Sequence, residues 1–131
     1  MVGMRLFDHI DLRVRDLAEA DKFYGAILPA LGFPTRFVGE DYISYDAVRD
    51  HPKPECISLT EDRDHVANKT RIAFWRDSRE AVDAFGAILK SAGARNIEGP
   101  ELCTEYSPGY YAVFFEDPCG NRLEVCCRNA T

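Results

Sequence analysis

A histidine and an arginine occupy matching positions in two copies of a strand-and-helix repeat. Residues 8–31 align with residues 70–93 at an offset of 62 positions, which places His9 opposite Arg71. An imidazole can move a proton or bind a metal ion, whereas a guanidinium is a permanent cation that holds carboxylates and phosphates by paired hydrogen bonds. Each copy is too small to bury both faces of its sheet, so we expect the copies to pair and function to lie in the cleft between them.

Alternation of polar and apolar residues places both side chains on strands. The segment 8–14 alternates strictly, which indicates a half-buried strand with His9 on its polar face. The segment 70–75 repeats this pattern and places Trp75 on the same strand face as Arg71.

A helix is predicted after each of these strands, with Asp16 and Ser78 as N-caps. The first helix should end or kink near Leu28, because Pro29 lacks a backbone donor, and the second should close at Gly93. Further strands are predicted at 33–38, 42–46, 56–60, 110–116 and 122–127, with a short extended run at 95–97, a loop through Pro100 and a polar link at 61–69. The order strand, helix and three strands is therefore present twice.

Composition excludes several classes of partner. The net charge is −6 and the 16 lysines and arginines are scattered, which argues against nucleic acid. No apolar run approaches the roughly 18 residues that a membrane span needs, and the N-terminus lacks the apolar core of a signal peptide, so we predict a cytoplasmic protein without a membrane partner. The 5 cysteines lack a paired C-x-x-C spacing, so they are interpreted as small buried side chains rather than a zinc cluster.

The sequence resembles the vicinal oxygen chelate superfamily, which contains glyoxalase I, bleomycin-resistance proteins and extradiol dioxygenases. The resemblance covers nearly the whole chain and rests on Asp8-His9-Ile10, Phe23-Tyr24 before Leu31-Gly32-Phe33, the strand 71–74 and the closing segment 117–125. Through 78–85 and 108–112 the second half also looks like a bacterial glyoxalase-like branch. The resemblance implies an α+β fold of two βαβββ modules forming a curved mixed sheet around a central cleft, often as a homodimer. We expect residues 1–131 to form one such domain, with internal modules 5–61 and 69–128.

In this family the metal ligands come from the first and last strands of each module. The resemblance carries those positions to His9, Ser58, Arg71 and Glu124. A guanidinium cannot coordinate a cation and repels it, so we predict no metal at these residues. The alternative is a divalent Ni, Zn, Fe or Mn ion held by His9 and Glu124 with help from His65, water or a neighbouring chain.

Arg71 and Glu124 are interpreted together, because either charge is costly in a cleft without a countercharge. One hypothesis is an ion pair that replaces the metal and stabilises the module interface. The other is that Arg71 binds a substrate carboxylate or phosphate while Glu124 and His9 act as catalytic proton-transfer groups. Three further side chains are predicted to contact the substrate, namely Ser58, Trp75 and Tyr110.

Three functional classes follow from the resemblance and its departures. We favour a pocket that binds, and in the catalytic version transforms, a small anionic organic molecule without a metal. The first alternative is a metal-dependent lyase, isomerase or dioxygenase. The second is a non-catalytic resistance protein that sequesters a toxic compound. The breadth of the family prevents naming a substrate.

Overall fold

The computed structural model describes residues 4–129. They divide into two compact units, one ending at His65 and the other beginning at Val66. Each unit contains a strand, a helix and three further strands, which confirms the predicted α+β class and the two βαβββ modules. The division falls inside the predicted polar link.

The first unit is a four-stranded sheet with one helix. Its order along the sheet is β1-β4-β3-β2, with β1 parallel to β4 and the other pairs antiparallel. A short 3₁₀ turn follows the helix at Pro29–Leu31 and ends at Gly32, whose φ of 102° is left-handed. The elements are β1 His9–Val14, α1 Leu17–Ile27, β2 Thr35–Val38, β3 Tyr42–Asp46 and β4 Cys56–Glu61.

The second unit repeats this arrangement with sheet order β5-β8-β7-β6. Its elements are β5 Arg71–Trp75, α2 Arg79–Ala92, β6 Arg95–Leu102, β7 Tyr110–Glu116 and β8 Arg122–Arg128. The predicted loop through Pro100 is wrong, because β6 continues to Leu102. Proline is tolerated there since β6 is an edge strand, and two register shifts between Arg95 and Glu101 interrupt its pairing with β7.

Both helices begin at the predicted caps. The Asp16 carboxylate accepts a hydrogen bond from the Glu19 backbone N–H at 3.1 Å, and the Ser78 hydroxyl accepts one from Ala81 at 3.1 Å. Each cap satisfies a donor that the first helical turn leaves unpaired. The helices then cover one sheet face each. The buried helix side chains include Phe23 and Ile27 of α1 and Val82 and Phe85 of α2. The buried strand side chains include Ile57 and Leu59 of β4 and Leu123 and Val125 of β8.

The turn between β7 and β8 fixes the register of the last strand. The buried Asp117 carboxylate accepts hydrogen bonds from the backbone N–H groups of Cys119 and Asn121, both at 2.9 Å. The Asn121 side chain donates to its second oxygen at 2.9 Å, and Gly120 takes a φ of 95°. The most distinctive segment of the sequence therefore determines which β8 side chains face away from α2. None of the helices in the described part of the chain is long and apolar enough to cross a membrane.

Candidate anion-binding site

The face of the second sheet that α2 leaves uncovered carries most of the predicted site residues. Register places Arg71 opposite Arg122 and Ala73 opposite Glu124 across β5 and β8. Phe114 lies opposite Glu124 across β7 and β8. Because side chains alternate along a strand, all five project to the same face.

A pocket of about 160 Å³ opens on this face. The Arg71 guanidinium lies 4.9 Å from the centre of the Phe114 ring, in a cation–π contact. Neither Arg71 nor Arg122 forms an ion pair with any carboxylate of residues 4–129. The pocket is lined by Arg71, Asn96, Glu98, Phe114, Phe115, Glu116 and Arg122.

The hypothesised ion pair between Arg71 and Glu124 is absent from the described part of the chain. The register gives the reason, since Glu124 lies opposite Ala73 rather than Arg71. Glu124 instead accepts a hydrogen bond from the Tyr110 hydroxyl and is only 5% exposed. Burial, reinforced by this hydrogen bond, raises the pKa of Tyr110 well above its usual range.

Glu124 and Tyr110 belong to a buried group next to the pocket rather than to its lining. The Tyr110 ring packs in a cluster with Cys103, Ala112, Phe114 and Cys126. Its outer side is covered by the Arg128 guanidinium, 4.6 Å from the ring centre. Phe114 belongs both to this cluster and to the lining of the pocket, so the cluster packs directly against the pocket.

Trp75 lies on the same sheet face but does not line the pocket. Its side chain is exposed, and its indole N–H donates to the Asp77 carboxylate at 2.8 Å. The predicted role of Trp75 as a pocket wall therefore has no support from the position of its ring.

His9 and Ser58 share the uncovered face of the first sheet. The exposed His9 ring lies with Nδ1 2.7 Å from the Asp8 carboxylate, whose other oxygen accepts a hydrogen bond from Arg5 at 2.8 Å. The hydrogen bond with His9 and the charge of Arg5 lower the pKa of Asp8. Ser58 lies opposite Asp11, two positions beyond His9, just as Glu124 lies opposite the residue two positions beyond Arg71. Ser58 and Glu124 are therefore equivalent in the two sheets.

The side chains of His9, Ser58, Arg71 and Glu124 do not form a donor set that fits a resident divalent ion. Each unit contributes one ligand-type side chain, His9 in the first and Glu124 in the second, where a protein site normally needs at least three. Within residues 4–129 no group of three or more His, Cys, Asp or Glu side chains is placed to hold a metal ion. His65 offers no substitute on β5, because it lies in the link and the strand begins only at Arg71.

Arg122 is a candidate site residue that the sequence analysis missed. The alternation of β8 places it on the same face as Glu124, two positions away. Its relation to Arg71 became visible only with the parallel pairing of β5 and β8, which brings residues 51 positions apart in the chain side by side.

The chain belongs to the Glyoxalase/Bleomycin resistance protein/Dioxygenase superfamily, whose family model matches residues 6–125. Among solved structures, it is similar to a glyoxalase/bleomycin resistance protein from Albidiferax ferrireducens, with a TM-score of 0.73 and 25% identity over 94% of this chain and 98% of that one. It shares its fold with the fosfomycin resistance protein FosX from Listeria monocytogenes, with a TM-score of 0.72 and 18% identity over 96% of this chain and 95% of that one. No curated protein matches the sequence.

Proposed function

We propose that this protein binds a small anionic organic molecule on the uncovered face of the second sheet, with Arg71 and Arg122 holding the anionic group. The observation that carries the proposal is that arginines at paired positions of β5 and β8 line one pocket, and that neither forms an ion pair with a carboxylate of residues 4–129. An anion that contacts both guanidiniums gains two favourable charge interactions, while Glu116, opposite Arg122 across β7 and β8, limits the negative charge that the pocket accepts. A planar carboxylate, or a phosphate, matches the fork of donors on each guanidinium.

The remaining lining residues narrow the ligand class. Glu98 and Glu116 add two negative charges to the pocket, which disfavours polyanions. Their oxygens accept hydrogen bonds, so they suit hydroxyl or amide donors on the ligand. The Phe114 ring supplies an apolar surface. We therefore favour a molecule with one anionic head and a hydroxylated body, such as a small hydroxy acid.

Glu124 supports a catalytic version of the same proposal. It follows Arg122 by two positions on β8, so the two side chains leave the strand roughly 7 Å apart on one face. Ala73, opposite Glu124, has a small side chain, and neither residue lines the pocket, so this version requires the ligand to extend beyond the pocket to the Glu124 carboxylate. In this version Glu124 transfers a proton to or from the bound molecule, and the hydrogen bond from the Tyr110 hydroxyl holds the Glu124 carboxylate in position. A proton-transfer role for His9, in the first unit, remains a separate prediction.

Isothermal titration calorimetry with glycolate, lactate, malate and inorganic phosphate tests the binding proposal. Wild type should bind at least one hydroxy acid, and Arg71→Ala and Arg122→Ala should each weaken that binding by about tenfold or more, the loss expected for one charge-assisted hydrogen bond of about 1.5 kcal/mol. Arg63→Ala is the control, since Arg63 is an exposed arginine of the first unit. Equal losses of affinity in all three variants would contradict the proposal, because binding would then depend on the net charge of the protein rather than on the arginine pocket.

Turnover separates the functional classes. A reaction that persists in excess chelator and is lost in Glu124→Gln, with ligand affinity retained, supports metal-independent catalysis. Binding without turnover supports sequestration or sensing, whereas activity that requires added Ni, Zn, Fe or Mn would overturn the metal-independent proposal.

Homodimer formation and a cytoplasmic location remain predictions. Light scattering coupled to size-exclusion chromatography measures the mass in solution and so tests homodimer formation.

A further inference from the structure

A larger pocket, of about 390 Å³, lies on the uncovered face of the first sheet. This volume falls within the range of about 300–1,000 Å³ that is usual for small-molecule sites. The pocket belongs entirely to the first unit and shares no residue with the arginine pocket of the second. Side chains from β2, β3 and β4 line it, among them Phe37, Tyr42, Ser44, Asp46, Cys56 and Ser58.

Ser44 presents its hydroxyl to the pocket. It is 7% exposed and lines the pocket, yet its side chain forms no hydrogen bond with any of residues 4–129. Because the Ser44 hydroxyl faces the pocket and is reachable by water, it is available to accept a hydrogen bond from a bound molecule. Ser58 lies directly opposite Ser44 across β3 and β4, so a second hydroxyl lies beside that of Ser44 in the pocket.

The charges around these serines favour a cation. Asp46 lies two residues after Ser44 on β3 and is half-buried. It forms no ion pair among the described residues. Asp8 also lines the pocket, although Arg5 and His9 occupy its oxygens. Lys53, exposed at the rim, is the only lysine or arginine among the lining residues.

Two further features suit a cation with an apolar body. The rings of Phe37 and Tyr42 form a tilted pair with centroids 6.2 Å apart, and aromatic faces attract ammonium groups. Burial raises the pKa of the Cys56 thiol, so this side chain remains neutral beside the carboxylates.

We propose that this pocket binds a small organic primary ammonium compound with an aromatic or apolar body. The ammonium group donates its three N–H bonds to the Asp46 carboxylate and to the hydroxyls of Ser44 and Ser58. The apolar body packs against Phe37 and Tyr42. This pocket shares no lining residue with the arginine pocket, so variants of each pocket test the two proposals separately.

Phenethylamine is the probe, with 2-phenylethanol as its neutral analogue and 3-phenylpropionate as its anionic analogue. Calorimetry should give measurable affinity for the amine and at least about tenfold weaker affinity for each analogue, because only the amine can pair with a carboxylate. Amide chemical shifts in a ¹⁵N-labelled sample should move at Ser44 and Ser58 during the titration.

Asp46→Asn should weaken phenethylamine binding by about tenfold or more, the usual effect of losing a charge-assisted hydrogen bond. Asp41→Asn is the matched control, since Asp41 is an exposed aspartate just before β3. Ser44→Ala should also weaken binding, because it removes one acceptor for the ammonium group, and should change the melting temperature little, because the hydroxyl forms no hydrogen bond with residues 4–129. Equal binding of 2-phenylethanol, equal effects of the two aspartate variants, absence of binding at millimolar probe, or shifts confined to other residues would each overturn the proposal.

Discussion

Replacing Tyr110 by phenylalanine tests how the second unit accommodates a buried carboxylate beside its pocket. The Tyr110 hydroxyl donates to Glu124, and both side chains are more than 90% buried. Hydrogen bonds to charged groups contribute about 1.5–3 kcal/mol, and little solvent reaches Glu124 to replace the lost donor. We therefore expect Tyr110→Phe to lower the free energy of unfolding by about 2 kcal/mol.

The neighbouring tyrosine provides the control. The Tyr111 hydroxyl donates to Asp83 at 2.7 Å in an exposed position, so Tyr111→Phe should cost less than about 0.5 kcal/mol. Urea unfolding followed by circular dichroism measures both changes. A cycle with Glu124→Leu isolates the pair, since removing both partners leaves no buried carboxylate, and the coupling should exceed about 1 kcal/mol. Equal costs for the two tyrosine variants, or additive effects in the cycle, would refute the reasoning.

Three other predictions concern stability and reactivity. Hydrogen bonds from Arg36 hold the pKa of Asp21 below its ordinary 3.8. The ionised carboxylate therefore stabilises the folded state above about pH 4, and this stability is lost as the pH falls through the lower pKa of the folded state. Asp21→Asn should make the free energy of unfolding depend less on pH in the acid range. Cys56, the half-exposed member of five free cysteines, should react first with a thiol reagent in the native protein, as mass spectrometry can show. Ser78→Ala should destabilise the second unit by about 1 kcal/mol in thermal unfolding, because it removes a helix cap.

Local signals in the sequence were sufficient for most of the fold. The Asp16 and Ser78 caps and the alternation in β1 and β5 each depend on neighbouring residues, and each is found where it was predicted. Strand β6 was largely missed because Gly99 and Pro100 are turn formers, and only the position of β6 at a sheet edge makes them tolerable.

The site was less accessible from the sequence because it depends on strand pairing. Alternation assigned Arg71 to the polar face of its strand, and the family resemblance supplied Glu124, but neither contained information about which residue lies opposite which. The register pairs Arg71 with Arg122 and Ala73 with Glu124, so the expected ion pair is replaced by two guanidiniums without an ion pair among residues 4–129 and by a carboxylate bound to Tyr110. The position of Ser44 directly opposite Ser58 likewise becomes evident only from the pairing of β3 with β4.

A crystal structure of the protein with the tightest-binding hydroxy acid tests the central claim most directly. The account predicts the carboxylate of the ligand within hydrogen-bonding distance of both Arg71 and Arg122, with its body against Phe114. A ligand bound at another surface, or a metal ion coordinated by Glu124 and the ligand, would contradict it.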